Sequence, residues 1–404
     1  MQVLDTLPFH KLLIGTVLIS VVLLSAAPLP AQTPLASLPE QRPDTPWPTR
    51  DWPVAALHDA VDRTLIADVL RGLFDAKGPA GLPDTRALLV VYQGSIVMEV
   101  YADGFGPESK FFSWSMAKSV TNALTGILVR NNRLQLDAPA PVSSWRDPLD
   151  PRSAITLRQL LHMTTGLDNA DGSGGGLGFE SHMMFSPDLR DDMSASAAAV
   201  ELIHEPGTHW AYSTATSTIL GGIVSRTVGG NRAGLINFAR EELFGPTGID
   251  TMEFEFDKSG SFVGGAFVWA SARDWARLGY LYLRNGVWDG RRLLPEGWVD
   301  FSRTPAPASN NGIYGAQFWL AGVAAAGQNP GIRSPQGAFN MAGANGQLVV
   351  MVPAKDLVIV RLGEAHVEDW DYFNALPARI AAAFPAHGLP EAGESSGTPI
   401  GHTP

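Results

Sequence analysis

Apolar residues at Met116, Val120, Ala123, Leu124, Ile127 and Leu128 recur every three or four positions, the spacing of one buried helix face. That pattern predicts a helix opening near Ser115. The same period runs from Ala55 to Lys77 through Val61, Leu65, Ile66, Val69, Leu70, Leu73 and Phe74, and predicts another helix. Thr156 is placed to cap a short helix over Leu157 to His162, and a longer one is expected over Thr214 to Val228. Strands read differently. Ala87 to Tyr92 and Ile96 to Tyr101 are β-rich runs joined across Gln93-Gly94-Ser95, which is a hairpin signal. Gly265 to Ala270 reads as a strand, and Gln347 to Val352 and Leu357 to Leu362 flank a Pro353-Ala354-Lys355-Asp356 turn as a second hairpin. An amphipathic segment from about Asp371 to Phe384 closes the patterned part.

Strands near both ends with helices between them predict a mixed α/β (α+β) body. One antiparallel sheet would be built from the two chain ends, with a helical region inserted. The patterned domain spans residues 55–384, and the rest of the chain lacks this periodicity. Lys11 precedes the apolar run Leu12 to Leu24 and the small residues Ser25-Ala26-Ala27, so residues 1–31 read as a signal peptide or an uncleaved N-terminal anchor. Either reading exports the body, with the periplasm as the expected destination. Residues 32–54 are rich in proline and read as an extended linker. Residues 385–404 read as a disordered tail, and the glycine-rich stretch Asp171 to Gly178 as a surface loop or a rim beside a site.

Composition narrows the chemistry. A chain of 404 residues at 45% hydrophobic content can bury a substantial core. The formal charge of −11 supplies no basic field, which argues against nucleic acid and leaves the leader as the only expected membrane contact. With no cysteine, disulfides, thiolate metal sites and cysteine nucleophiles are excluded. No Gly-x-Ser-x-Gly elbow and no Gly-x-x-x-x-Gly-Lys loop occurs, and His204 and His209 have the wrong spacing for a zinc helix, with Pro206 between them. His162 reads as structural. No cofactor or metal is implied.

The candidate chemistry lies at the start of the first-named helix. Ser115 and Lys118 are three apart, so they meet on one side of a helical turn as a nucleophile and its base. A helix start also offers unpaired N–H groups to a developing negative charge. Ser-x-x-Lys alone is a weak signal, since a plain helix start capped by Ser115 gives the same letters. Downstream, Tyr212-Ser213-Thr214 opens a helix, and Met341-Ala342-Gly343-Ala344 leads into an apolar strand.

In these segments the chain resembles the serine β-lactamase and penicillin-binding-protein superfamily, in its class C-like serine hydrolase branch of esterases, D-aminopeptidases and aminohexanoate-oligomer hydrolases. Trp114 to Ser119 matches the Ser-x-x-Lys motif, and Leu160 to Leu167 looks like the following helix and loop. Tyr212-Ser213-Thr214 lies where the family has Tyr-x-Asn, Ser271 to Gly279 is similar to a characteristic helix, and Met341-Ala342-Gly343 falls at the Lys-Thr-Gly position. The resemblance implies a β-lactamase/transpeptidase-like fold, with Ser115 as acylated nucleophile, Lys118 as its activating partner and Tyr212 as general base and acid. Backbone N–H groups of Ser115 and Ala344 would form the oxyanion hole, with Thr214, Met341, Gly343 and Trp114 at the substrate. Neutralising half of a free lysine at pH 7 costs about 4.6 kcal/mol, which burial can supply. Lys118 as a neutral base and Lys118 as a cation tuning Tyr212 therefore both stay open.

Two departures bear on substrate. Thr214 replaces an asparagine amide, and Met341 and Ala342 replace the cation and hydroxyl that grip a β-lactam carboxylate. The expected partner is a small ester or amide without need of a carboxylate. The alternatives are a β-lactamase or D-amino-acid peptidase of the same fold, or a non-catalytic cell-wall-recognition module. Arg333 is a candidate replacement cation, and Trp114, Trp210, Tyr314 and Trp319 are candidates for an acyl pocket.

Overall fold

The computed structural model describes residues 35–75, 84–168, 178–309, 312–320, 333–365 and 370–385. The expected leader, most of the glycine-rich stretch and the expected tail after Pro385 lie outside these residues. The main sheet has six strands: β1 (Thr85–Tyr92), β2 (Ser95–Tyr101), β8 (Trp319–Leu320), β9 (Phe339–Gly343), β10 (Gln347–Val352) and β11 (Leu357–Gly363). Their order is β2-β1-β11-β10-β9-β8, and every pairing is antiparallel. Both expected hairpins are present, and β1 pairs with β11 to join the two ends of the chain.

Alternation along the strands separates two cores. Leu88, Val90, Val350, Val352 and Ile359 pack with Ile66, Val69 and Leu73 of α1 (Arg63–Phe74) and with Leu376 and Ile380 of α11 (Trp370–Ala383). Ala87, Leu89, Val91, Val349, Met351, Val358 and Val360 face the other way. There they meet the larger core that includes α2 (Ala117–Arg130), α6 (Thr214–Thr227) and α9 (Ala272–Leu283). The inserted region also carries α3 (Leu157–Leu161), α4 (Phe179–Phe185), α5 (Met193–Ala198), α7 (Arg232–Ala239) and α8 (Gly245–Thr247), and α10 (Trp298–Arg303) follows α9. Thr156 caps α3 as expected, with Gln159 completing a capping box. Among the described residues no helix is long and apolar enough to cross a membrane.

Four expectations change. The helix expected from Ala55 starts at Arg63, because the Asp62 side chain accepts the Leu65 N–H and sets the cap there. The strand expected from Gly265 shortens to β5 (Val268–Ala270), which joins a separate sheet with β3 (Phe111–Phe112) and β4 (Glu253–Phe254). A further hairpin, β6 (Val287–Trp288) with β7 (Arg291–Arg292), follows α9. The helix expected to open at Ser115 is preceded by a 3-10 turn, Trp114–Met116, and α2 proper begins at Ala117.

The fourth change concerns the expected linker. Residues 35–54 lie along the body as a strap. Arg277 Nε donates to the Pro48 carbonyl at 2.9 Å and Nη2 to that of Arg50 at 3.1 Å, while Arg284 Nη1 reaches the Pro39 carbonyl at 3.3 Å. Trp52 is buried, and Trp47 packs on Tyr280 and Trp288. Proline gives the segment its extended path, and its two tryptophans and its carbonyls give it partners.

Candidate active site

The site forms where the start of α2, the start of α6 and the end of β9 converge. Trp114 takes a left-handed backbone, φ +45°, a conformation that is costly for a large side chain. Its predecessor fixes that turn. Ser113 is buried, and its Oγ accepts the Val268 N–H at 3.1 Å and lies 3.0 Å from the Ala266 carbonyl. Gly343 closes the other side, where a Cβ would collide with the Ser113 carbonyl and crowd Trp114 Cβ. Only glycine lets β9 come this close, and Ala344 therefore follows directly beside the turn that carries Ser115.

Lys118 is 1% exposed. Its Nζ lies 3.0 Å from Ser115 Oγ, 3.0 Å from Thr214 Oγ1 and 2.8 Å from the Gly265 carbonyl oxygen. The carbonyl can only accept, so one N–H is committed there. Thr214 Oγ1 takes a second. Toward Ser115 an ammonium can only donate, whereas a neutral amine can offer its lone pair, and only the neutral form can receive the serine proton.

Tyr212 stands on the remaining side, its ring centre 4.8 Å from Lys118 Nζ. Ser213 is the reason for this placement. It caps α6 by accepting the Thr216 N–H at 2.9 Å, which leaves Tyr212 just before the helix and makes Thr214 its first residue. Buried Glu180, on α4, accepts the next N–H, that of Ala215, at 2.8 Å. A carboxylate at a helix N-terminus is favourably placed.

The expected residues are thus distributed in three ways. Ser115, Lys118, Tyr212 and Thr214 are brought together. Thr214, expected at the substrate, is 4% exposed and has its hydroxyl on Lys118 instead. Met341 is 1% exposed within the larger core, Ala342 faces the opposite core, and Gly343 packs against the Ser115 turn. Arg333 is tied to α11, where Nη2 donates to the Asp371 carbonyl at 2.8 Å. His162 is buried and its ring lies 4.7 Å from that of Phe301, while the exposed rings of His204 and His209 stack on each other.

Aromatic side chains flank the pair on two sides. Tyr212, Trp319, Tyr314 and Trp210 form one group with ring centres 5.0–5.7 Å apart. Trp114 begins another, with Phe112 at 4.8 Å and Trp269 at 4.9 Å from Phe112. Two parts of the site are not apparent from the motifs. The Gly265 carbonyl is one, although its Gly264-Gly265 doublet in a strand-like run is a signal for close backbone approach. Gln317 is the other. Its carbonyl accepts from Ser119 at 2.8 Å, its Oε1 from Ser217 at 2.6 Å, and its Nε2 donates to the Leu161 carbonyl at 2.9 Å, so it ties α2, α6 and α3 together near the lysine.

Comparison with known proteins agrees with this architecture. The Beta-lactamase family profile matches residues 84–383. The 6-aminohexanoate-dimer hydrolase of Paenarthrobacter ureafaciens is 25% identical over 316 residues, spanning 73% of this chain and 76% of that one. A penicillin-binding protein homolog from Caulobacter crescentus shares the fold at a TM-score of 0.60 and 16% identity, over 82% of this chain and 99% of that one. So does EstCE1, a hydrolase with promiscuous acyltransferase activity, at 0.59 and 18%, over 79% and 98%. With three quarters of its length matched in this way, the chain belongs to the beta-lactamase family and is a β-lactamase-related serine hydrolase.

Proposed function

We propose that this protein is an exported hydrolase that cleaves ester or amide bonds of small, largely apolar substrates through an acyl-enzyme on Ser115. The observation that carries the reading is the buried Lys118 Nζ at 3.0 Å from Ser115 Oγ, with further contacts to the Gly265 carbonyl and Thr214 Oγ1. Neutral Lys118 takes the hydroxyl proton as Oγ attacks the substrate carbonyl carbon. The negative charge moves to the carbonyl oxygen, facing the N–H groups of Ser115 and Ala344, each worth about 10²- to 10³-fold in rate. Collapse expels the alcohol or amine, which takes the Tyr212 phenol proton, and the proton held on Lys118 returns to the phenolate. Water then attacks the acyl-enzyme by the same route in reverse and frees Ser115.

The aromatic groups beside Tyr212 and Trp114 favour apolar substituents. Similarity to an enzyme named for a linear amide, 6-aminohexanoate dimer, supports including amides. Export is supported by the apolar run after Lys11. A fluorophosphonate probe tests the chemistry: it adds one adduct to the intact mass, on Ser115, and Ser115→Ala abolishes labelling and lowers ester turnover by at least about 10³-fold. Equal labelling of both proteins would falsify the acyl-enzyme reading.

A further inference from the structure

The turn Ala344–Gly346, between β9 and β10, is held from below by one side chain. Arg361, on β11, is 1% exposed and directs its five N–H donors at oxygens. Nη1 donates to the carbonyls of Asn345 (3.2 Å) and Gly346 (3.0 Å), Nη2 to those of Asp84 (2.7 Å) and Glu364 (2.7 Å), and Nε to Thr85 Oγ1 (3.1 Å). Its guanidinium carbon lies 4.2 Å from the ring centre of Phe373. Burial draws its pKa down to about 9, against the opposing pull of Asp84 and Glu364, so it remains charged at neutral pH.

Burying a guanidinium is costly, and an apolar residue would fill a sheet position without that cost. What the charge provides here is a fixed turn. Asn345 is left-handed, φ +59°, and its Nδ2 donates to Glu364 Oε2 at 2.7 Å. At Gly346, φ +78°, a Cβ would press on Arg361 Nη1, so the guanidinium fits directly beneath the backbone. Gln347 then pairs with both backbone groups of Gly363.

We infer that Arg361 is a positioning residue for the reaction: it anchors the turn that presents the Ala344 N–H, and so holds one oxyanion donor in place. The inference rests on the reading of Ala344 as an oxyanion donor. A misplaced group in such a site can cost about 10²-fold without touching substrate binding.

The experiment uses matched nitrophenyl esters and thionoesters, in which the charge-bearing oxygen is replaced by sulfur, a poor fit to donors set for oxygen. In the wild type the oxygen ester is turned over much faster than the sulfur ester. Arg361→Met, with folding checked by thermal melting, lowers kcat on the oxygen ester by about 10²-fold. Its KM stays within about threefold, and the oxygen-to-sulfur preference shrinks. If Arg361→Met fails to fold, Arg361→Lys, which keeps the charge with fewer donors, takes its place, with kcat lowered by about 10-fold. A folded variant with unchanged kcat, or with KM alone raised, overturns the inference. Turnover surviving in Ser115→Ala overturns the underlying acyl-enzyme reading as well, so the two failures are told apart.

Discussion

Thr214 illustrates how one substitution in a motif redirects a side chain. An asparagine at that position would offer an amide, whereas the threonine hydroxyl sits 3.0 Å from Lys118 Nζ and helps orient the amine toward Ser115. His162 has a separate, measurable consequence. Burial, reinforced by nearby Arg158, pulls its pKa from 6.5 down to about 4, so the folded chain keeps it neutral while the unfolded chain takes up a proton below about pH 6.5. Stability is therefore fully present above that pH and is lost as pH falls toward 4, by about 3 kcal/mol. Urea midpoints should fall over this window, and in His162→Gln that part of the fall should flatten; an identical profile in the variant would rule out His162 as the group responsible. At this scale the sequence was most legible where the chemistry is local. Ser115 and Lys118 meet because they are three apart, and Thr156 caps because of its place before Leu157. The Gly265 carbonyl, Gln317 and Arg361 act across long sequence separations, through backbone groups or buried donors, and no spacing rule reports such contacts.

Among elements, the strap at residues 35–54 departs furthest from its expected behaviour. Proline content signals an extended path but is silent on whether that path is solvated or packed, and here Arg277, Arg284 and the apolar surface near Trp288 decide it. Arg277 is also paired with Asp274 at 2.8 Å, which itself accepts the Thr251 N–H at 2.7 Å, so the strap is joined to a buried polar network. Removing residues 35–54 should expose that network and lower the melting temperature sharply. Trp52→Ala alone should cost about 3–5 kcal/mol by chemical denaturation. A truncated protein that melts like the full chain would restore the linker reading. The β-hairpins, by contrast, were legible almost to the residue, since two short β-rich apolar runs and the turn between them are encoded together.

For the whole molecule, charge and the Met341-Ala342-Gly343 segment act in the same direction. A chain of net charge −11, with an apolar, buried Met341 where the motif resemblance implies a cation and with Arg333 donating to α11, offers an anionic β-lactam little attraction. Its kcat/KM for a neutral nitrophenyl ester should exceed that for a chromogenic cephalosporin by about 10²-fold or more, the scale on which truncating one partner of a charged contact acts. Comparable rates on the two would show that another group recognises the carboxylate.

Antiparallel pairing of β1 with β11 has a consequence for biogenesis. A ribosome must deliver everything from β1 through β11 before the central ladder can close, so until then the emerging chain is left with the β1–β2 hairpin, the smaller β3-β5-β4 sheet, the β6–β7 hairpin and local helices. Such a topology delays the native sheet until β11 has been made, and keeps the growing chain pliable for as long as a translocation channel or a chaperone would need it.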